Sequence, residues 1–202
     1  TYANSIYMLA KGRPTKITKN SIASKCLELY WHKGIQNVTY NEAIKYSKCS
    51  KPTVYNLFKS EDELQAKTLE YYNDNYLINL ENIINKKDNI LDFIEFIFQE
   101  IKSTACYFVI SNNNRHLLSK LTKAYVVKTE KKFKKLIYNL ISRHLEKFKL
   151  KVNDNEISDL AIYLIHNISL ANTLKLNKAD EKDFVIIKNA MIKNVKLSLS
   201  HL

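Results

Sequence analysis

Two glycines and two prolines in 202 residues place the tightest limit on what this chain can fold into. Repeated strand reversals need tight turns, and tight turns draw on residues that tolerate positive φ or hold φ at about −65°. With so few of either, the chain is expected to be all-α, built of long helices and short polar connections. Hydrophobic residues make up 46% of the sequence, enough for a real core, and charged residues 26%, ordinary for a soluble protein. No apolar run is long enough for a transmembrane helix, so no membrane partner is expected. The opening TYANSIYMLAKGRP has no charged leader and no small-residue cleavage site, and does not read as a signal peptide.

Helical spacing first appears from Thr18 to Lys33. Ile22, Cys26, Leu29 and Tyr30 recur on one side, Lys25 and Glu28 on the other, and Gly34 sits where a carboxy-terminal cap belongs. Thr39-Tyr40-Asn41-Glu42 fits a capping box, so a second, short helix opens there and ends near Ser47-Lys48-Cys49. Ser50 caps a third, with Pro52 tolerated in its first turn. Val54, Leu57 and Phe58 form its inward side, leaving Lys51, Thr53, Tyr55, Asn56 and Lys59 to point elsewhere. Ser60-Glu61-Asp62-Glu63 reads as another capping box, starting a long helix with Leu64, Thr68, Tyr71, Tyr72 and Leu80.

Further on, the clearest breaks are 85–89 and 111–114. Segment 90–110 is apolar nearly all round (Phe93, Phe96, Ile97, Phe98, Ile101, Phe108), which predicts one helix buried at the centre. Segment 120–149 is amphipathic. Asn153-Asp154-Asn155-Glu156 caps a helix to about Lys175, with Ile157, Ala161, Leu164 and Ile168 on one apolar face and Leu160, Tyr163, Leu170 and Leu174 on the other. Two such faces need two partners. The last helix, opening at Asp180–Asp183, carries Phe184, Ile187, Met191, Val195 and Leu199. The final pair is therefore expected to form a four-helix bundle with a second subunit, through Leu160, Leu164, Ile168, Phe184, Ile187, Met191 and Val195. The whole reads as about nine helices in three parts: a flexible basic arm (1–17), a helix-turn-helix domain (18–64) and a larger helical domain (65–202).

Charge separates these parts. The chain carries +12, and residues 1–60 hold ten Lys/Arg against Glu28 and Glu42, whereas 61–202 hold 22 basic against 18 acidic residues. AT-rich coding would explain Lys over Arg and the abundance of Asn and Ile, but not the asymmetry. A basic amino-terminal quarter on a nearly balanced body points to a polyanion partner for that quarter. Cys26, Cys49 and Cys106 lie far apart without CxxC or Cys/His spacing, so they read as reduced residues of a cytoplasmic protein, with no metal site and no cofactor.

A DNA-reading helix-turn-helix needs one helix across the backbone and a second whose early residues enter the major groove. The helix from Ser50 offers Lys51, Thr53 and Asn56 for base edges or phosphates, and Thr39 and Tyr55 carry hydroxyls suited to phosphate oxygens. Chemistry alone leaves open a structural three-helix unit with solvated lysines. Residues 18–64, however, resemble the amino-terminal domain of the tetracycline-repressor (TetR) family. The likeness rests on an apolar helix ending Leu29-Tyr30 and Gly34, then Thr39, then Ser50-Lys51-Pro52-Thr53-Val54-Tyr55 with Phe58, and Leu64.

The resemblance implies a homodimer on a palindromic double-stranded DNA operator. It puts Thr39 and Tyr55 on phosphates and Lys51, Pro52, Thr53 and Asn56 over the bases; Lys59, which also points away from the inward side, is a further candidate DNA contact. Gly12-Arg13-Pro14 is similar to the arms that precede this domain in many members, implying a minor-groove contact for Arg13. Phe58 corresponds to a packing residue. Three positions depart from the pattern: Lys48 stands where the turn usually has Gly, Glu61 where Lys is frequent, and Ala43-Ile44 reverses a usual order.

In that family the carboxy-terminal helices enclose a small-molecule pocket whose occupancy changes the spacing of the reading helices. Tyr107, His116, Tyr125, Tyr163 and His166, polar-tipped groups in apolar surroundings, are the candidates to line it. Its many aromatics imply an apolar or aromatic effector. The function expected is a cytoplasmic, dimeric transcriptional regulator, a repressor more than an activator. The competing readings are a DNA-binding protein of the same fold controlled by a protein partner, and an enzyme. Five scattered histidines without HExxH, GxSxG or a phosphate loop speak against catalysis.

Overall fold

The computed structural model describes residues 17–103 and 105–200, with backbone alone at 102, 103 and 200. Arg13 and the predicted arm, Ile17 excepted, lie outside the described residues. Among those described there are ten α-helical segments and no strand; two of them run on continuously, which makes nine helices. They are α1 (Lys19–Lys33), α2 (Tyr40–Ser47), α3 (Lys51–Leu57), α4 (Glu61–Tyr72), α5 (Ile78–Asn85), α6 (Ile90–Ser103), α7 (Tyr107–Asn113), α8 (Lys120–Phe148), α9 (Asp154–Leu176) and α10 (Glu181–Ser200). The segments α4 and α5 form one continuous rod, because Asn73–Leu77 is a π turn that carries the chain between them. None is long and apolar enough to cross a membrane.

The first helices start and stop where their sequences dictate. Thr18 caps α1 by accepting from the Ser21 N–H, and Gly34 ends it at φ 81°. A Cβ at Gly34 would be strained there and would meet the Gln36 amide at 2.9 Å. The capping box at Thr39–Glu42 is closed in both directions, as is the one at Asn153–Glu156. The box expected at Ser60–Glu63 closes only halfway. Ser60 accepts from the Glu63 N–H at 3.2 Å, but Glu63 Oε2 accepts from the Lys59 N–H at 3.2 Å instead of turning back to Ser60.

The single helix expected over 90–110 is two. α6 ends at Ser103 and α7 begins at Tyr107, with no Gly or Pro between them. Distant groups stabilise the break: Trp31 Nε1 donates to the Ala105 carbonyl at 2.8 Å, and the Cys106 N–H donates to Asn172 Oδ1 at 2.7 Å. Nor is α6 apolar all round. Phe93, Ile94, Ile97 and Phe98 are buried while Asp92, Glu95 and Gln99 are exposed. The next break lies after Asn113 rather than at 111, since α7 runs through it.

Two apolar clusters fill the molecule. One joins α5, α6, α8, α9 and α10 around Phe93, Ile97, Ile137, Leu140, Leu164 and Met191. The other starts in α1–α3 and runs on through Leu69, Tyr72, Tyr107 and Val126, so the 64/65 boundary falls inside α4 and inside continuous packing. The first cluster corrects the expected subunit interface. Leu164, Ile168, Phe184, Met191 and Val195 are buried in this chain's own core, where no surface is left for a second copy. Of the expected set only Leu160 and Ile187 are partly open. The apolar side chains that α9 and α10 do present outward include Ile162 and Leu170, two turns apart on α9, and Ile186 and Leu197 on α10.

Candidate nucleic-acid interface and internal cavity

Helices α2 and α3 meet across Lys48 and Cys49. Lys48 takes the left-handed conformation, φ 54° and ψ 29°, which costs a residue with a Cβ roughly 1–2 kcal/mol. The turn keeps its geometry despite lacking glycine because neighbours hold it. Ser47 Oγ donates to the Ile44 carbonyl at 2.7 Å and accepts from the Cys49 N–H at 3.2 Å. Behind the turn, Cys26 Sγ donates to the Ala43 carbonyl at 3.4 Å. Val54 and Phe58, both fully buried, lock α3 against Ile22, Cys26, Ala43 and Ile44. Burying such side chains is worth roughly 1.5–3 kcal/mol each.

With its inner side fixed, α3 turns Lys51, Pro52, Tyr55 and Asn56 to solvent, and Lys59 just beyond it is exposed as well. Lys51 Nζ lies 5.7 Å from the Tyr55 ring centroid, and Tyr40 meets that ring edge-on at 5.2 Å. Tyr40 is itself tied to the Phe58 carbonyl at 2.9 Å, so Tyr55 is steered from both sides. Thr53 is less free than expected: its hydroxyl lies 2.7 Å from Ser50 Oγ. Thr39 is exposed, but its hydroxyl donates to Glu42 Oε2 at 3.0 Å and accepts from the Glu42 N–H at 3.3 Å.

The two acids of α1 and α2 are committed internally. Hydrogen bonds from the Thr39 N–H and hydroxyl and from Lys33 hold the Glu42 carboxyl below its ordinary range, and Glu28 accepts from Tyr46 Oη at 3.0 Å. Lys45 and Lys48, exposed on α2 and in the turn, extend the basic face beyond the residues singled out from sequence.

The five candidate pocket residues are not brought together. Tyr107 is fully buried, its hydroxyl 3.2 Å from Thr68 Oγ1. His116 is exposed, and His166 stands exposed on α9 between Ile162 and Leu170. Tyr125 is partly buried on α8, and Tyr163 accepts from Asn194 Nδ2 at 2.7 Å in a surface cleft between α8, α9 and α10.

A partly open cavity of 220 Å³ lies elsewhere, walled by Trp31, Tyr72, Tyr76, Cys106, Phe133 and Asn172 among others. Tyr72 and Tyr76 stack at 5.3 Å, and Trp31 meets both edge-on at 5.1 and 5.7 Å. Burial raises the Tyr72 phenol and the Cys106 thiol, so both walls stay protonated and neutral. Sequence reading missed this site because its parts come from α1, the α4–α5 rod, α6, α7, α8 and α9. The nearest signal was the tyrosine density at 71–76 and the lone tryptophan.

Two short helices set against an all-helical body define a recognisable fold. Solved structures share it: the reduced form of Escherichia coli NemR (19% identity, 88% of this chain and 95% of that chain, TM-score 0.72) and a Legionella pneumophila TetR-family regulator (15% identity, 90% and 99%, TM-score 0.68). A cysteine mutant of the TetR-family regulator CifR, complexed with 26-bp operator DNA, superposes at TM-score 0.72 over 90% of this chain and 98% of that one, at 11% identity. No protein-family model and no curated protein matches the sequence. The chain therefore has the fold of TetR-family regulators.

Proposed function

We propose that this protein is a dimeric transcriptional regulator, a repressor, that reads a palindromic operator through α3 and is released by a small molecule in the body cavity. The observation that carries this reading is the exposed face of α3, with Lys51, Pro52, Tyr55, Asn56 and Lys59 outward and Val54 and Phe58 sealed inward. Thr39 and Tyr55 set the register on phosphates, while Lys51, Thr53 and Asn56 read bases. Arg13 adds a minor-groove contact from the arm. The fold shared with CifR on its operator supports the same use of the head. The second copy docks on the outer sides of α9 and α10, at Ile162, Leu170, Ile186 and Leu197, with Leu160 and Ile187 at its edge. A partly open body cavity favours release by a ligand over control by a protein partner alone, and the assembly is a cytoplasmic, non-enzymatic one.

A gel shift on the promoter DNA beside its own gene tests the reading. Specific retardation at moderate salt is expected, and Asn56→Ala or Lys51→Ala should weaken it by about 1–3 kcal/mol. Retardation no stronger than on unrelated DNA would sink the proposal. Ile186→Glu should yield monomers in sedimentation while leaving the helical content unchanged.

A further inference from the structure

With seven residues, α3 is too short to hold its own position, since isolated helices below about 12–15 residues are marginal in water. Its amino end is held locally, by the Ser50 side chain on the Thr53 N–H. Its carboxyl end is held differently. Phe58 takes an extended backbone, φ −125° and ψ 114°, so the chain leaves the helix there.

The peptide unit that joins Phe58 to Lys59 is gripped on both of its polar sides by side chains of two other helices. Its carbonyl, on Phe58, accepts from Tyr40 Oη of α2 at 2.9 Å, and its N–H, on Lys59, donates to Glu63 Oε2 of α4 at 3.2 Å. From α1, Lys19 Nζ stands 3.7 Å from the same Glu63 oxygen and 5.4 Å from the centroid of the Phe58 ring. The other three helices of the head therefore converge on one peptide at the end of α3. Burial, with Tyr55, Glu63 and Glu61 nearby, raises the Tyr40 phenol above its ordinary value, so it stays a neutral donor. The half-closed box at Ser60–Glu63 has its reason here, because Glu63 is spent on Lys59 rather than on Ser60. Tyr40 also touches the reading face, its ring edge-on to Tyr55 at 5.2 Å.

Neither group has to touch DNA to affect how it is read. A binding constellation works only when its side chains are held within about 0.5 Å of the productive geometry by residues that are themselves locked. We propose that Tyr40 and Glu63 are positioning residues for sequence reading, which clasp the 58–59 peptide and so fix how α3 sits over the bases. This rests on the reading of α3 as the operator-binding helix.

The test measures the affinity of the full chain for the promoter fragment beside its own gene and for an unrelated duplex of the same length. Tyr40→Phe removes the donor and keeps the ring on Tyr55; Glu63→Ala removes the acceptor. Each should weaken promoter binding about fivefold, the worth of one net hydrogen bond. Binding to the unrelated duplex should stay within about twofold, because attraction to the phosphate backbone is independent of sequence. Glu63→Gln keeps an acceptor without the charge and should restore promoter binding to within about twofold of the wild type. Because both bonds hold one peptide, combining Tyr40→Phe with Glu63→Ala should cost less than the product of the two losses. Hydrogen exchange reads the clasp without DNA: the Lys59 amide should be protected in the wild type and Glu63→Gln and exchange faster in Glu63→Ala, with α1 amides unchanged in all three.

A promoter-to-unrelated ratio unchanged in both single variants overturns the proposal. So does a Glu63→Gln variant as weak as Glu63→Ala, which would reduce Glu63 to its charge, or equal losses on both duplexes, which would mark general damage to the head. A wild-type chain that does not prefer the promoter fragment sinks the regulator and this proposal with it, whereas a preference that the variants leave intact sinks the positioning role alone.

Discussion

In the head, Thr18, Thr39, Ser50 and Ser60 each accept the backbone N–H three residues ahead, so α1 to α4 all begin on their own caps. In the body α9 repeats that local pattern in full, with Asn153 and Glu156. Three other body helices take first-turn hydrogen bonds from far away. Asp62 accepts from the Leu121 and Thr122 N–H groups at 3.4 and 3.1 Å and from the Ser119 and Thr122 hydroxyls, capping α8 from the end of the head. The Ile90 N–H of α6 donates to His144 Nδ1 at 3.3 Å, beside a local cap in which Asn89 Oδ1 accepts from the Leu91 N–H at 2.9 Å, and the Cys106 N–H before α7 donates to Asn172 Oδ1. The orphan amides of a helix start must be satisfied somewhere. Where the cap is local the helix is specified before folding, and where it is remote the helix start exists only once the body has assembled.

The most damaging way to break this contrast is to remove the remote cap that joins head to body. Asp62→Ala should cost about 2–3 kcal/mol in urea unfolding, because four hydrogen bonds to a charged acceptor are lost together. Asn172→Leu should cost about 2 kcal/mol by stranding the Cys106 N–H, and should raise hydrogen exchange around α7 while leaving α1–α3 protected. The local cap is worth less: Ser50→Ala should cost about 1 kcal/mol and weaken operator binding, since α3 carries the reading face. Lys48→Gly should do the opposite, gaining about 0.5 kcal/mol by relieving the left-handed strain, less glycine's entropy.

The smallest effect expected is one of pH. Burial lowers the pKa of His144 below its ordinary value, and its neutral Nδ1 is the acceptor for α6. Its contribution is therefore complete above the unfolded value of about 6.5 and is lost as pH falls through its folded value. Melting temperature should drop between about pH 7 and 5, less steeply in His144→Asn. Asp62 acts in a lower window. Burial alone would raise its carboxyl, but the donors from Ser119, Thr122 and Leu121 outweigh that and hold it below its ordinary range, so its stabilisation is lost only in stronger acid.

Much of the head was legible in the sequence. Capping residues sit three positions from the amides they satisfy, and Val54, Leu57 and Phe58 follow from helical spacing alone. At Lys48 the left-handed turn and the residue disagree, and there the fold overrides the residue by bracing the turn through Ser47. The cavity was not legible. Trp31 and Phe133 are separated by about half of the chain, and neither has any spacing relation to Tyr72 or Asn112.

Sequence by itself determined that the fold is all-α, where α1 to α4 begin and which side of α3 faces out, because those rules act within one turn of helix. Tertiary structure decided the rest. It broke the 90–110 segment at a site with no breaker, where Trp31 and Asn172 supply partners that make the break cheaper than continuing. It chose which apolar face of α9 and α10 became core, since two greasy faces look alike until the neighbours are known. It also assembled the cavity from six parts of the chain, leaving one unpaired oxygen at Asn112 inside it.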